Sequence, residues 1–461
     1  MFKKLFLSLA LLLSIFTLVA CASKTEGPEG PGSVTKITMY IYQPEDYAVQ
    51  YLKNLQKEFN REYNGKYKID MKFYYQLQFY SNLSTAIENG NCPDIYTISY
   101  SNLASYVANG YAENLNGYFT EAELNDIVPQ TASQVFFNGK LYAYPWFLEP
   151  STFLFYRKDI LSQVGIGPEN LVTYEDIYQA CTKLVKNNKV PKAGFPIYIP
   201  VGIPRGWATI GMQYNNLGGK YVVSDDWSES YLGEQGIKDL ARFYWEVGTN
   251  GWCPQQDMTE RGFEDAATGL CLDYWLMAFA GSWDIARIME DYPEYVDKIG
   301  IVPAPTLTSE KNGSVYTTAT NGGWNFVVSS SSSAAKKEAA IAFLKFAFIN
   351  EPSRASEFFV AAHGSRFAPT KTIQNALDNV TYDCPREWVN VVKTVAELGI
   401  SEPRYSWDII NLVNDLLAES MGADGNDFDS EYSRIYAGQK AKMDVIMSRG
   451  ERNPYLETNN Q

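Results

Sequence analysis

Residues 138–166 read NGKLYAYPWFLEPSTFLFYRKDILSQVGI, and this segment decides the fold. Two runs of aromatic and β-branched residues, 141–146 and 152–156, favour extended structure. Pro145 and Pro150 interrupt regular ladder hydrogen bonding between them, because proline has no backbone N–H. Apolar residues at helical spacing follow, and Gly165 and Gly167 end this helical pattern. The segment therefore predicts a strand that leaves one sheet, enters another and leads into a short helix.

The chain before this segment alternates strand and helix patterns. Strand patterns cover 37–42, 69–73 and 94–99. Helical patterns cover 46–59, 79–89 and 102–108. Strands separated by helices of this length imply right-handed βαβ units and a mainly parallel sheet. Since ligands of such sheets bind beyond the carboxyl ends of the strands, the binding edge should include Gln43, Ser101 and Asn102.

The chain after this segment begins a second α/β region. Thr173 and Asp176 form a capping-box pattern at the start of a helix. Residues 213–216, which precede two glycines, favour a polar loop. The other predicted elements are a strand at 197–200 and helices at 240–247, 407–417 and 431–446.

Residues 302–305, VPAP, begin a crossing back to the first region. A strand pattern at 320–328 follows, and Gly322 and Gly323 let its backbone lie close to another group. This is not a phosphate-binding loop, because no Lys-Ser/Thr pair and no helix follow the glycines. The next pattern, 335–348, indicates a helix.

The first twenty residues have the pattern of a signal peptide. Lys3 and Lys4 precede an apolar run from Leu5 to Ala20, and Cys21 follows at once. A membrane-spanning helix is the alternative, but the run is shorter than the roughly 20 residues that a bilayer requires. Residues 24–33 are polar and rich in glycine and proline, which predicts a flexible tether.

Length and charge restrict the function. The residues after the signal are too many for one ordinary core and enough for two domains. A formal net charge of −14 argues against nucleic acid or an anionic membrane surface as partner. Neutral or cationic ligands are favoured instead.

Cysteines after Cys21 are odd in number, so they cannot all pair within the chain. Cys253 and Cys271 are the closest pair in sequence. They could form a disulfide in an exported protein or remain small buried thiols.

Aromatic residues make up 15% of the chain, including 33 Tyr and 10 Trp. Rigid aromatic faces with a few polar groups are the general design of small-ligand sites. Sugars suit such a site because their ring C–H groups are flat and apolar while their hydroxyls require polar partners. For any single tyrosine, a place in the core is the simpler interpretation.

Enzyme classes find little support. His363 is the only histidine, so a Ser-His-Asp triad would depend on it, and no G-x-S-x-G motif is present. A histidine-rich metal site is impossible, and cysteine pairs spaced for zinc are absent from the sequence. A glycoside hydrolase with paired carboxylates remains open. A structural or adhesin-like protein would show repeats or sandwich-like strand spacing, which the sequence lacks.

The segment quoted first resembles the hinge-crossing segment of the family 1 extracellular solute-binding proteins of ABC importers. In that family it reads roughly G-K-x-Y-x-x-P, then an apolar run and Y-x-K-D-x-L. The matching residues are Gly139, Lys140, Tyr142, Pro145, Tyr156, Lys158, Asp159 and Leu161.

Other motifs of the family occur in the same order. They are Pro93-Asp94-Ile95, the capping box at Thr173, Gly281-Ser282-Trp283, Gly322-Gly323-Trp324, the helix segment 340–346 and the loop 364–369. In the last, Arg366 stands before the proline, whereas the family has it after. Leu18-Val19-Ala20-Cys21 resembles a bacterial lipobox, which implies cleavage before Cys21 and lipid attachment there.

The resemblance implies an α/β, two-lobed, periplasmic-binding-protein-like fold of class II type, each lobe a mainly parallel sheet flanked by helices. The expected divisions are a signal peptide at 1–20, a lipidated linker at 21–33, a first lobe at 34–144 plus about 306–350, and a second lobe at 145–305 plus about 351–461. The expected protein is a monomer, held by lipid at the outer face of the cell membrane. It would carry a carbohydrate, an oligosaccharide, to an ABC permease and use no cofactor or metal.

The expected site lies between the lobes. Trp146, Trp283, Trp324 and Trp407 would stack on sugar rings, with a place in the core as the alternative for each. Gln43, Asn102 and Glu149 would hydrogen-bond to hydroxyls. The remaining candidates are Ser101, Gln213, Tyr214, Arg366 and Tyr405.

Overall fold

The computed structural model describes residues 33–42, 45–201, 205–254, 265–307 and 319–455. The predicted signal peptide, Cys21 with its tether, and Gln43 lie outside these residues. In the part of the chain that is described, no helix is both long and apolar enough to span a bilayer.

The described residues form twelve strands, and most of the longer ones lie close to the predicted patterns. They are β1 (Thr35–Tyr42), β2 (Tyr67–Tyr74), β3 (Ile95–Ser99), β4 (Phe136–Phe137), β5 (Lys140–Leu141), β6 (Tyr144–Pro150), β7 (Phe153–Arg157), β8 (Phe195–Tyr198), β9 (Trp275–Ala280), β10 (Ile299–Pro303), β11 (Thr320–Val328) and β12 (Ile400–Ser401).

Helices flank these strands. They are α1 (Asp46–Glu62), α2 (Gln76–Glu88), α3 (Tyr100–Ala108), α4 (Glu121–Asn125), α5 (Pro129–Val135), α6 (Lys158–Leu161), α7 (Tyr174–Lys186), α8 (Trp207–Asn216), α9 (Gln235–Thr249), α10 (Asp265–Cys271), α11 (Trp283–Asp291), α12 (Ala334–Phe348), α13 (Pro352–Ala361), α14 (Lys371–Leu377), α15 (Arg386–Leu398), α16 (Trp407–Met421) and α17 (Phe428–Ser448).

The first sheet has the order β12-β11-β3-β1-β2. Strand β6 also pairs with β11, on the side that faces away from β3. Strands β1, β2 and β3 are parallel, as the alternating pattern predicts. Strand β11 runs antiparallel to both β3 and β6, and the β6 register shifts next to Pro145. The proline is thus accommodated by an irregularity, because it cannot donate a ladder hydrogen bond.

The second sheet has the order β10-β7-β9-β8. Only β8 and β9 pair in parallel, whereas β7 is antiparallel to β9 and β10. The two-lobed α/β fold is therefore confirmed, but the expectation of a mainly parallel sheet is wrong for the second lobe. The chain enters this sheet at the crossing between β6 and β7. Strand β7 then runs in the opposite direction to β9.

Each lobe has its own core. In the second lobe, both faces of β7 are buried. Leu154 and Tyr156 belong to one hydrophobic cluster, and Phe153 and Phe155 belong to a second cluster on the opposite face. This is the two-residue periodicity of a strand with helices on both sides. The predicted capping box at Thr173 starts α7, where its hydroxyl accepts from the Asp176 N–H.

The lobe boundaries differ from the expected ones. Strand β6 belongs to the first sheet as far as Pro150, and helices α13 and α14 pack into the first core through Phe358 and Ile373. Pro352 looks like the end of a lobe in sequence, yet it begins α13 at the position where a helix tolerates proline. Residues 352–377 therefore belong to the first lobe rather than the second.

One further expectation is corrected, and one open alternative is settled. Residues 213–216 form the last turn of helix α8 rather than a loop. The Gln213 side-chain amide donates a hydrogen bond to the Thr209 hydroxyl at 2.7 Å, one turn earlier in the helix. Cys253 and Cys271 do not form a disulfide; both are free and buried in different clusters of the second lobe.

Candidate ligand-binding cleft

The strand registers bring the carboxyl-terminal edges of the two sheets together. In the first sheet, Ser99 at the end of β3 lies opposite Trp324, in the middle of β11. In the second sheet, Ala280 at the end of β9 lies opposite Phe153. Only Ser151 and Thr152 separate β6 from β7, so the two edges adjoin at this crossing. We call the space between these edges the cleft.

An aromatic wall forms the first-lobe side of the cleft. The rings of Tyr42 and Trp324 are stacked, with centroids 4.1 Å apart and planes 6° from parallel. Phe79 meets Trp324 edge-on at 6.1 Å, and Tyr80 is tilted towards it at 6.5 Å. Gly323 beside them has φ +132°, and a Cβ there would lie 2.2 Å from the Phe147 carbonyl oxygen. Only glycine permits this approach.

Hydrogen-bonding groups lie along the same edge. Asn102 Nδ2 donates to Ser99 Oγ at 2.8 Å and to the Tyr80 hydroxyl at 3.3 Å. Ser101 Oγ lies 3.1 Å from Ser99 Oγ. These partly buried groups retain acceptor capacity for ligand hydroxyls.

A buried guanidinium connects the first lobe to the crossing. Arg366 donates from Nη2 to Glu45 at 2.8 Å, and its Nε lies 2.8 Å from Glu149 Oε2. Burial raises the pKa of Glu149 to about 7, and Arg366 counteracts that rise while Glu45 adds to it. One cation therefore serves two carboxylates.

Glu402 supplies a further carboxylate at this edge. Its backbone N–H donates to Gln134 Oε1 at 3.1 Å, and Gln134 Nε2 donates to the Asn321 carbonyl at 2.9 Å. Burial raises the pKa of Glu402 to about 7, although hydrogen bonds from Ser101 oppose the shift.

A second aromatic pair forms the second-lobe side. Trp207, at the start of α8, and Trp283, at the start of α11, meet edge-on with centroids 4.8 Å apart. Thr152 donates to the Ala208 carbonyl at 3.1 Å, which fixes α8 against the crossing. The Ser282 N–H donates to the Pro150 carbonyl at 3.1 Å, which fixes the start of α11 in the same way.

The predicted residues divide between this edge and the core. Trp146 is only 2% exposed and is enclosed by Phe147, Phe326 and Phe358. No face remains for a sugar, so the structure contradicts its predicted stacking role. The register shift beside Pro145 places this ring on the helix-covered face of the sheet.

The candidates on α8 and α16 pack within the second lobe. Gln213 is buried, Tyr214 contacts Tyr221 at 5.0 Å between ring centroids, and Tyr405 is 6% exposed beside the same Tyr221. Trp407 is partly buried against the second-lobe core.

Sequence reasoning missed Tyr42, Tyr80, Trp207, Glu45 and Glu402. Tyr42 could have been found, because it is the last residue of β1 and directly precedes the predicted Gln43. Glu402 carried no local signal, since its place depends on the pairing of β12 with β11.

The single histidine lies between two carboxylates. His363 Nδ1 lies 2.6 Å from Asp383 Oδ1, and Nε2 lies 3.8 Å from Glu290 Oε1. Both ring nitrogens face carboxylates, an arrangement that does not activate a hydroxyl nucleophile.

Two α/β lobes, joined by crossings with an aromatic and polar edge between them, define the class of two-lobed solute-binding proteins. Residues 45–351, more than half of the chain, match the family model of the bacterial extracellular solute-binding proteins. The chain belongs to this family.

The individual relatives have low sequence identity to this chain. The chain is 23% identical to the arabinooligosaccharide-binding protein of Bacillus subtilis (strain 168) over 348 residues, which are 74% of this chain and 76% of that one. It is 23% identical to the diacetylchitobiose-binding protein DasA of Streptomyces coelicolor over 360 residues, 75% and 78% of the two chains. An ABC substrate-binding protein from Listeria monocytogenes, solved in complex with cycloalternan, shares the fold with a TM-score of 0.69 at 18% identity, covering 89% of this chain and 99% of that one.

Proposed function

We propose that this chain is an extracytoplasmic solute-binding lipoprotein that captures a carbohydrate, an oligosaccharide, between its lobes and delivers it to an ABC permease. It acts by binding and not by catalysis. The names of the relatives support the ligand class, since two of them are described as binding proteins for arabinooligosaccharide and diacetylchitobiose.

The observation that carries the proposal is the composition of the cleft edges. Tyr42, stacked on the buried Trp324, lies on one lobe and Trp283 on the other, where their rings could receive a sugar ring. Asn102, Ser101 and Glu149 provide hydrogen-bonding groups between them. Contacts from both lobes would favour the closed state by differential affinity.

The test is a melting experiment with panels of neutral oligosaccharides, peptides and polyamines. A ligand that binds only the folded chain at about 100 times its Kd stabilises it by about 2.7 kcal/mol. We expect one oligosaccharide to raise the melting temperature by roughly 5 °C. A response to peptides or polyamines alone would reject the carbohydrate assignment.

The lipid anchor has its own test. The full chain expressed in a bacterium should fractionate with membranes, and a Cys21→Ala variant should not receive the lipid. Equal lipid labelling of the two chains would reject the anchor at Cys21.

A further inference from the structure

Three neighbouring strands bring Glu149 and Glu402 to the two sides of Gly322. Glu149 in β6 lies opposite Gly322 in β11, and Glu402 directly follows β12, which pairs with the other side of β11. A Cβ added to Gly322 would lie 3.3 Å from Glu402 Oε1 and 3.3 Å from the Glu149 carbonyl oxygen. Because Gly322 has no side chain, Glu402 Oε1 approaches the β11 backbone beside Glu149.

The charges at this place are not balanced by the described residues. Arg366 serves Glu45 and Glu149, so that group already carries one excess negative charge when ionised. Among the described residues Glu402 forms no ion pair, and its hydrogen bonds come from the N–H and hydroxyl of Ser101. Glu402 Oε2 is buried and has no hydrogen-bond partner in that part of the chain.

A buried phenol supports the same interpretation independently. Tyr100 is 4% exposed, and its hydroxyl has no hydrogen-bond partner among the described residues. Tyr100 directly precedes Ser101, whose N–H and hydroxyl donate hydrogen bonds to Glu402. Burial and then the charge of Glu402 raise the pKa of Tyr100. A buried hydroxyl without a protein partner is costly, so a bound ligand that hydrogen-bonds to it would be favoured beside Glu402.

The two carboxylates and the phenol favour a compact cation as the ligand group. A metal ion is not favoured, because no cluster of three or more His, Cys, Asp or Glu side chains in the described ranges is placed to hold one. A primary ammonium has three donors, which suit Glu402 Oε2, a carboxylate oxygen of Glu149 and the Tyr100 hydroxyl. The net charge of −14 would also attract a cationic solute over long range.

We propose that Glu149, Glu402 and Tyr100 form a subsite for the ammonium group of an amino sugar. This rests on the proposed carbohydrate function and specifies its ligand class. The Tyr42 ring, stacked on the buried Trp324, lies along the same edge of the sheet and receives the sugar ring.

The test uses sugars that differ only in one substituent. The full chain, purified in detergent, is titrated calorimetrically at pH 7 with β-1,4-linked tetramers of glucosamine, N-acetylglucosamine and glucose, and with galactosamine and galactose. We expect an amine-bearing sugar to bind at least about tenfold more tightly than its hydroxyl counterpart, because a hydrogen bond between charged groups is stronger than a neutral one.

The variant Glu402→Gln removes the charge and keeps the shape, and the preference for the amine should fall to about one. Glu357→Gln is the matched control, because it removes an exposed carboxylate from α13 and should leave the preference intact. Melting curves of both variants establish that they fold.

Three results would overturn the inference: neutral sugars binding as tightly as amines, no binding of any amino sugar, or a preference that survives in Glu402→Gln. Binding of a neutral oligosaccharide without this preference would leave the carbohydrate function standing. Binding of spermidine without any sugar would reject both.

Discussion

Tyr42, the last residue of β1, lies flat against Trp324, which is five residues along β11. The two residues are far apart in sequence and meet because β1 and β11 flank β3 on its two sides. Trp324 is only 9% exposed and holds the Tyr42 ring rigidly from behind, so loss of this pair should weaken binding.

Replacing this surface should weaken binding. We expect Trp324→Ala to reduce the affinity for the carbohydrate found in the melting panel by about tenfold or more, since aromatic anchors commonly contribute more than 1 kcal/mol. Titration calorimetry measures the loss. Tyr274→Ala removes an exposed aromatic residue from the opposite end of β9 and is the control. Equal affinities of the two variants would show that Trp324 does not contact the sugar.

The buried ion group should be sensitive to loss of its cation. The Arg366 side chain is completely buried, and Arg366→Met would leave Glu45 and Glu149 without a partner. We expect a loss of about 3 kcal/mol in the free energy of unfolding, measured in urea. Lys440→Met breaks an exposed pair with Asp444 and should change little. A loss no larger than that of the control would contradict the role assigned to Arg366.

The carboxyl groups at the crossings should make stability depend on pH. Burial raises the pKa of both Glu149 and Glu402 to about 7 in the folded chain, above the ordinary value near 4.5. The folded state then binds more protons between these values, so the stabilisation is present below about pH 4.5 and is lost as the pH rises through 7. Glu402→Gln should therefore be more stable than the unmodified chain at pH 8, by about 1–3 kcal/mol, and the difference should shrink towards pH 5.

Urea unfolding of both chains at pH 5 and pH 8 measures this difference. The comparison removes the contribution of all other titrating groups. A difference of the same size at both pH values would mean that Glu402 keeps an ordinary pKa in the folded chain.

The glycine beside the aromatic wall should not tolerate a side chain. At Gly323 the backbone has φ +132°, and a Cβ would lie 2.2 Å from the Phe147 carbonyl oxygen. We expect Gly323→Ala to lower the free energy of unfolding by about 3 kcal/mol or more. Gly438→Ala, in the middle of α17 with open space around it, should instead stabilise by about 0.5–1 kcal/mol. Similar effects of both changes would contradict the close approach at Gly323.

The sequence predicted most elements because their periodicity is local. Helix α1 begins at Asp46 and buries Val49, Leu52, Leu55 and Phe59, as their spacing indicates. The segment 138–166 contains the crossing between β6 and β7, and Gly165 with φ +68° ends the turn after α6.

What the sequence did not reveal depends on long-range pairing. Trp146 and Trp324 look equally aromatic in sequence, but only the pairing of β6 with β11 determines that Trp146 faces the helices. The direction of β7 relative to β9 has no local signal either. Glu402 reaches the cleft edge through two residues of strand pairing, which are too few for periodicity to detect.

The central claim is that the chain binds a carbohydrate between its lobes and releases it unchanged. The most direct measurement is titration calorimetry of the full chain with the oligosaccharide found in the melting panel, followed by mass spectrometry of the recovered sugar. We predict one sugar bound per chain and recovery at its original length. Recovery of shorter sugars would identify a glycoside hydrolase, and failure to bind any carbohydrate would contradict the account.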